Sequence, residues 1–210
     1  MSKSPKILTT KESAHPKTLT VEESSAILAA VQCTNGTHVK RLKGIRNYAM
    51  CCMMLEAGLR VGEVVKLRCS HLWFNCQPVT STIVTTDIAK NQKERQIPVS
   101  MRLHIALTLL HDEYWFWYEL EGNHYAFAAS NKWKGPSTRH VERIVARAGI
   151  EAIGRPVNPH IFRHTFASRL TRVTNIRNVQ AMLGHASLSS TQVYTHPNAD
   201  DLRTAIDAVG

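Results

Sequence analysis

The sequence predicts a mainly α fold with a small antiparallel β-sheet, an α+β domain. Three features predict it. Apolar residues recur at helical spacing beneath recognisable caps in the first third, residues 71–99 turn β-branched and aromatic, and the last third returns to helices closed by glycine. Residues 1–18, rich in Lys, Ser, Thr and Pro, read as a flexible arm. Thr20 and Glu23 then form a capping box, opening a helix whose apolar face is Ile27, Leu28 and Val31. A second helix runs from about His38 to Ala57, carries Ile45, Tyr48, Ala49, Met53 and Leu55, and stops at Gly58. A short helix follows around Val61–Leu67. Leu72–Phe74, Thr82–Thr86 and Gln96–Val99 read as strands of one small sheet, with Lys90 at the tip of its last hairpin. A long helix from about Met101 to Leu120 ends in the aromatic cluster Tyr114–Tyr118, and a Ser137–Ala148 helix ends at Gly149. Asn158-Pro159 supplies an N-cap and a proline at the first helical position, so a helix starts beside His160 and runs to about Thr171. Asn175 caps Ile176–Leu183, which Gly184 terminates; short helices near Ser187–Tyr194 and Asp200–Ala208 complete the chain.

The chain has 210 residues, 43% hydrophobic and 20% charged, enough for one domain with a sizeable core and too few charges for a disordered tail. Its formal net charge of +10 suits a polyanionic partner, nucleic acid first and an anionic membrane surface second. No apolar run approaches the roughly 18 residues of a membrane span, and the first residues lack the apolar stretch of a signal peptide. A cytoplasmic or nucleoid location and no membrane partner are therefore expected. The five cysteines are odd in number and form no C-x-x-C pair, so neither a disulfide framework nor a zinc knuckle is indicated. Cys51 and Cys52, inside YAMCCMML, read as small buried hydrophobes.

Four segments carry potential chemistry: Gly58-Leu59-Arg60-Val61-Gly62-Glu63, Ala89 to Arg95, His160 to Thr165, and Leu183-Gly184-His185 with Tyr194-Thr195-His196 beyond it. His160 and Arg163, three apart at a helix start, share a face, and the helix N-terminus favours an anion. Arg60 and His185 each follow a helix-ending glycine, and Lys90 sits in a turn. Convergence of two arginines, a lysine and two histidines would make an anion pocket, because a guanidinium can clamp two phosphate oxygens with paired N–H donors. Taken singly, each of these residues is a common surface or rim residue; the weight lies in their order and spacing. A tyrosine has a pKa near 10, and a positive pocket with a nearby base favours its ionisation.

That order closely resembles the tyrosine recombinase (phage integrase) family over roughly residues 19–205. The family's G-L-R-x-x-E is met by Gly58, Leu59, Arg60 and Glu63; its hairpin G-K-x-x-K-x-R-x-x-P by Lys90, Lys93, Arg95 and Pro98, with Ala89 for the glycine. H-x-x-R-H-T-F-A is met by His160 through Ala167, L-G-H by Leu183 to His185, and T-x-x-Y-T-H by Thr191 through His196. Gly62, where the family often has serine or threonine, is a small departure that costs no catalytic residue type. The resemblance implies a site-specific recombinase or integrase that cuts and rejoins DNA through a covalent 3′-phosphotyrosine. It implies that Arg60 and Arg163 clamp the scissile phosphate and that Lys90 protonates the leaving 5′ oxygen. It further implies that His160 assists proton transfer, that His185 hydrogen-bonds the phosphate and that Tyr194 is the nucleophile. Glu63 would orient Arg60 and offset positive charge, and His164 would pack behind the site. By the same analogy no cofactor and no metal is needed; no P-loop or H-E-x-x-H occurs.

Basic clusters at Lys40–Arg46, Lys90–Arg95, Lys132–Arg147 and Arg169–Arg177 are expected to track double-stranded DNA. Lys93, Arg95, Arg139 and Arg143 are the candidate DNA contacts. Residues 19–210 would form the catalytic domain, with no separate N-terminal core-binding domain evident, so that either a minimal recombinase or a fragment is compatible. Weak DNA affinity is expected of the chain alone. The resemblance implies a homo-tetramer on DNA and a monomer when free. The stripe Leu202, Ala205, Ile206 and Val209 would dock on a neighbouring protomer or in cis. The alternatives are a type IB topoisomerase-like strand relaxase, which shares the chemistry, a DNA-binding regulator with an idle site and, more distantly, a metal-dependent nuclease.

Overall fold

A computed structural model describes residues 18–32, 35–89 and 94–184. The expected helices near Ser187–Tyr194 and Asp200–Ala208, the apolar stripe on the latter and the N-terminal arm up to residue 17 lie outside them. Mostly helical architecture with small antiparallel strands is what the chain adopts.

Helix α1 (Val21–Gln32) opens with both halves of the capping box: the Thr20 N–H donates to Oε2 of Glu23 at 3.0 Å, and the Glu23 N–H to Oγ1 of Thr20 at 3.1 Å. Ile27, Leu28 and Val31 are buried against α2 (His38–Glu56) and α6 (Thr138–Ile153). Helix α2 is the central post. Its second half, Ala49 to Leu55, is buried on every side, as expected of a helix enclosed by others. Around it lie α1, α4 (Met101–Leu109) and α7 (Pro159–Thr171). Cys51 and Cys52 are fully buried there, and burial pushes the Cys52 thiol up to about 12, so both sulfurs behave as apolar packing groups.

The predicted single sheet is instead two separate two-stranded antiparallel ribbons. Strand β1 (Trp73–Phe74) pairs with β2 (Gln77–Pro78), and β3 (Ser81–Val84) pairs with β4 (Arg95–Pro98), Val84 facing Arg95. The first ribbon turns through Asn75 (φ 51°) and Cys76 (φ 60°), both left-handed. Two positive φ values are the requirement of the tight hairpin turn that Asn-Gly normally signals; Cys76 in the glycine position hid it.

Two helices also differ from expectation. The long helix after Met101 is interrupted by a π-helical segment, Leu110–Trp115, before α5 (Phe116–Tyr118). Helix α6 runs through Gly149 and ends at Gly154, which takes the left-handed C-cap (φ 70°). Gly149 serves a close approach: a Cβ there would lie 2.7 Å from both the Arg155 carbonyl oxygen and Cγ2 of Val157.

The last two helices follow their caps. Asn158 accepts the Ile161 N–H at 3.1 Å with Pro159 as the first residue of α7, and Asn175 accepts the Asn178 N–H at 3.0 Å at the start of α8 (Ile176–Leu183). The two ends of the described chain are joined by Thr165, whose Oγ1 accepts the Leu19 N–H at 2.9 Å, and by Arg169, which donates to the Thr20 carbonyl and the Ser24 hydroxyl.

Candidate active site

Four elements meet where α2 ends: the turn at Gly58, the short helix α3 (Val61–Val64), strand β4 and the junction of α7 with the C-terminus of α8. The turn depends on glycine. Gly58 has φ +63°, and a Cβ there would sit 2.3 Å from the Phe166 ring. This bend carries Arg60 to the N-cap of α3 and leaves the Gly58 carbonyl pointing at α7.

Glu63 is the hub. As the third residue of α3, it reaches back so that Oε2 accepts the Arg60 N–H at 2.8 Å. Oε1 accepts from Nη1 of Arg60 at 3.1 Å. Arg95 then approaches with a two-pronged fork, Nη1 to Oε1 at 3.1 Å and Nη2 to Oε2 at 2.6 Å. The Glu63 side chain is 1% exposed and that of Arg95 4%. Burial alone pushes the Glu63 pKa up. The hydrogen bonds and charge of Arg95, with the N–H and charge of Arg60, outweigh burial and hold it below the ordinary carboxylate value.

The guanidinium groups also fix α8. Arg95 Nε donates to the Met182 carbonyl at 3.0 Å, and Arg163 Nη2 to the Leu183 carbonyl at 2.6 Å, while Arg163 Nη1 donates to the Gly58 carbonyl. Two cations therefore cap the terminal carbonyls of a helix, where orphan acceptors and the negative dipole end favour them. Gly184 (φ +62°) closes α8 against Arg95; a Cβ on it would be 3.0 Å from Arg95 Cδ. A cleft of about 640 Å³ opens beside this junction, lined by Arg95, Gln96, Arg177, Asn178, Met182 and Gly184 among others.

Of the residues singled out from sequence, Arg60, Glu63 and Arg163 are thus brought to one junction. Arg163 is buried, and Arg60 is the more accessible of the two arginines, with its side chain 21% exposed. His160 is exposed in the first turn of α7, and His164 is half-buried one turn further on. Arg139 and Arg143 are exposed on α6, away from the junction in sequence and element. Lys90, Lys93, His185 and Tyr194 lie outside the described residues. Arg95, expected as a DNA contact, is buried: its donors face Glu63 and the Met182 carbonyl inside the protein, and it holds the junction together. The signal was available: Arg95 and Ile97 are buried while Gln96 and Pro98 are exposed, the period-two alternation of a strand that puts Arg95 in phase with the core. The backbone acceptors at Gly58, Met182 and Leu183 leave no mark in the sequence. Among the described residues no three His, Cys, Asp or Glu side chains converge as a metal site requires. No helix among them is long and apolar enough to cross a membrane.

Comparison with known proteins bears on this junction. The phage integrase family model matches residues 17–201. The tyrosine recombinase XerC of Serratia marcescens is 34% identical over 168 residues, 78% of this chain and 52% of that protein. XerD of Brucella suis is 31% identical over 211 residues, 89% of this chain and 60% of that protein. Among solved structures, the XerA recombinase aligns with 95% of this chain and 66% of its own at a TM-score of 0.70 and 27% identity. The XerH site-specific recombinase bound to its difH substrate aligns with 97% of this chain and 57% of its own, at a TM-score of 0.70 and 21% identity, a likeness of fold. The chain spans between about half and three fifths of the length of the curated relatives it matches.

Proposed function

The chain belongs to the phage integrase family, and from that premise we propose that it is the catalytic domain of a site-specific tyrosine recombinase, which cuts and rejoins double-stranded DNA through a 3′-phosphotyrosine at Tyr194. The observation that carries the reading is the gathering of Arg60, Arg163 and the buried Glu63 at one junction in a chain whose motifs follow the family's order.

The chemistry proceeds in two reversible steps. The Tyr194 oxygen attacks the phosphorus of one backbone phosphate and loses its proton with the help of His160. The bond from phosphorus to the 5′ oxygen breaks, and Lys90 gives that oxygen a proton. The reverse step, with the 5′ hydroxyl of a second strand as nucleophile, releases Tyr194 and reseals the backbone. Bond energy is stored in the phosphotyrosine, so no nucleotide triphosphate is consumed. Arg60 and Arg163 offset charge on the non-bridging oxygens, and His185 adds a hydrogen bond. Fixed cations suit a transition state whose charge builds on those oxygens, since they need little reorganisation as the reaction proceeds. Arg60 gives one nitrogen to Glu63, and a guanidinium carries five N–H donors, so it can hold the carboxylate and a phosphate together. Glu63 keeps the cluster from carrying three uncompensated positive charges.

The partner is duplex DNA, with four protomers assembling on it. The C-terminal helix would dock on a neighbour, and the site of action would be the compartment that holds the DNA. The test uses a nicked duplex carrying a candidate recombination site, from which the cleaved 5′ end diffuses away. Wild type traps a detergent-stable protein–DNA adduct and Tyr194→Phe does not. An adduct formed equally by Tyr194→Phe, or none with folded wild type on any candidate site, refutes the reading. A two-site recombination assay run beside supercoil relaxation separates a recombinase from a strand relaxase.

A further inference from the structure

Near the middle of α2, Arg46 is a buried guanidinium with no carboxylate partner among the described residues. It is 6% exposed. Its Nε and Nη2 donate to Oδ1 of the adjacent Asn47 at 3.3 and 3.1 Å, and its charge lies 6.0 Å from the centre of the Tyr114 ring. None of the ion pairs among the described residues includes it. Arg46 Nη2 also stands 3.4 Å from Nε2 of His140, while Nη2 of Arg143 stands 3.5 Å from Nδ1 of the same ring. A neutral imidazole has one N–H and one lone pair. It can accept from only one of these guanidinium groups, and the other contact sets donor against donor. Burial first, and then the charges of Arg46, Arg143 and Lys43, push the His140 pKa down, so the ring does not add a third positive charge near neutral pH.

The cluster therefore holds an excess of donors and a buried charge, both of which are costly without an anion. Beside it is a pocket of about 190 Å³, lined by Arg46, His140, Lys134, Ser130 and Asn131 together with Phe127 and the turn at Pro136. The N-terminus of the 16-residue helix α6 begins at this point, with Ser137 as its cap. From this geometry we infer that Arg46, His140, Arg143 and Lys134 form a second anion site, which takes a non-scissile backbone phosphate of the bound duplex. The inference rests on the recombinase reading for the identity of the anion. Helix α2 joins the two sites: from Arg46 to Glu56 it rises about 15 Å, on the order of four base pairs at 3.4 Å each. The scissile phosphate and the second one would then lie on the same length of DNA. The phosphate supplies the missing acceptor and favours protonation of His140, so binding takes up a proton. The charged groups facing His140 are Arg46 and Lys43 from α2 and Arg143 from α6, with Lys134 across the pocket.

The experiment needs no knowledge of the target sequence, because a backbone contact is sequence-independent. The 210-residue chain is titrated with a labelled duplex of arbitrary sequence at several salt concentrations, comparing wild type with Arg46→Met and Lys134→Gln. The expected result is a slope of log affinity against log salt reduced by about 0.9 in Arg46→Met, reduced in the same direction in Lys134→Gln, and an affinity for wild type that falls as pH rises from roughly 5.5 to 8 more steeply than for His140→Gln. In parallel melts at equal ionic strength, inorganic phosphate raises the Tm of wild type above its value in chloride by more than it raises that of Arg46→Met, which keeps the scissile-phosphate site at Arg60. Unchanged slopes in both variants overturn the inference while leaving the recombinase reading intact. Phosphate stabilisation with unchanged duplex slopes overturns it too, because the site would then serve free phosphate. If Arg46→Met does not fold, the exposed Lys134→Gln decides through the same slope. Failure of wild type to bind any duplex overturns both readings together.

Discussion

Replacing Glu63 by glutamine keeps the shape of the side chain and removes its charge. Arg95 then remains 4% exposed with its fork facing a neutral amide that can accept from it but offers no countercharge, and Arg60 loses the same partner. Breaking a buried ion pair from one side costs about 3–5 kcal/mol, because the surviving charge is left without compensation. For a chain of this length, each kcal/mol moves the melting temperature by about 2–4 °C, so Glu63→Gln should melt roughly 6–20 °C below wild type. Removing both partners is a different perturbation. In Glu63→Gln with Arg95→Met, the buried charge leaves with its counter-ion, and the double substitution should cost less than the sum of the singles by about 2 kcal/mol or more. The assay is denaturant unfolding of the four proteins of the cycle. A Glu63→Gln protein within about 1 kcal/mol of wild type, or singles that add to within about 0.5 kcal/mol, would refute the reasoning that this carboxylate holds the junction together.

The same carboxylate sets an acid limit. Its folded pKa lies below the unfolded value, so its contribution is present above the unfolded pKa and is lost as pH falls through the folded one. Wild type should lose stability on acidification below about pH 4.5 more steeply than Glu63→Gln, as read by melts across a pH series; parallel curves would contradict the assignment. Gly58→Ala forces a left-handed residue to carry a Cβ into the Phe166 ring and shifts the carbonyl that Arg163 holds. It should cost more than about 2 kcal/mol and lower adduct formation further than its stability loss explains, measured below its own melting temperature. Asn158→Ala removes the N-cap of α7 and should cost about 1 kcal/mol, a Tm decrease of roughly 2–4 °C, checked by thermal unfolding.

Much of the fold could be read from sequence because much of it is enforced locally. Thr20 with Glu23, Asn158 with Pro159, and Asn175 with Gly184 each act through hydrogen bonds a few residues long, and each marks an element end where expected. Features settled by distant contacts were not legible. Gly149 follows Val145 and Ala148 and Gly154 follows Ile150 and Ile153, both in helical sequence, and only the return of the chain at Val157 decides which one ends it. The Asn75-Cys76 turn departs from the usual residue pair, and the strand it creates contains a proline. At the site, the motifs named Arg60, Glu63 and Arg163, whereas Arg95 looked like a surface charge because its partners, Glu63 and the Met182 carbonyl, are remote in sequence.

The proposed catalysis depends on a fixed positive charge at the reacting phosphate, and Arg60 is the described residue at which that charge is most open to measurement, since its side chain is partly exposed and Glu63 holds one of its guanidinium nitrogens. The measurement is the single-turnover rate of covalent adduct formation by Arg60→Gln on a nicked duplex, at saturating protein and alongside its melting curve. The rate should fall by about 10²–10³-fold while the protein stays folded at the assay temperature. A folded Arg60→Gln that forms the adduct at close to the wild-type rate would contradict it.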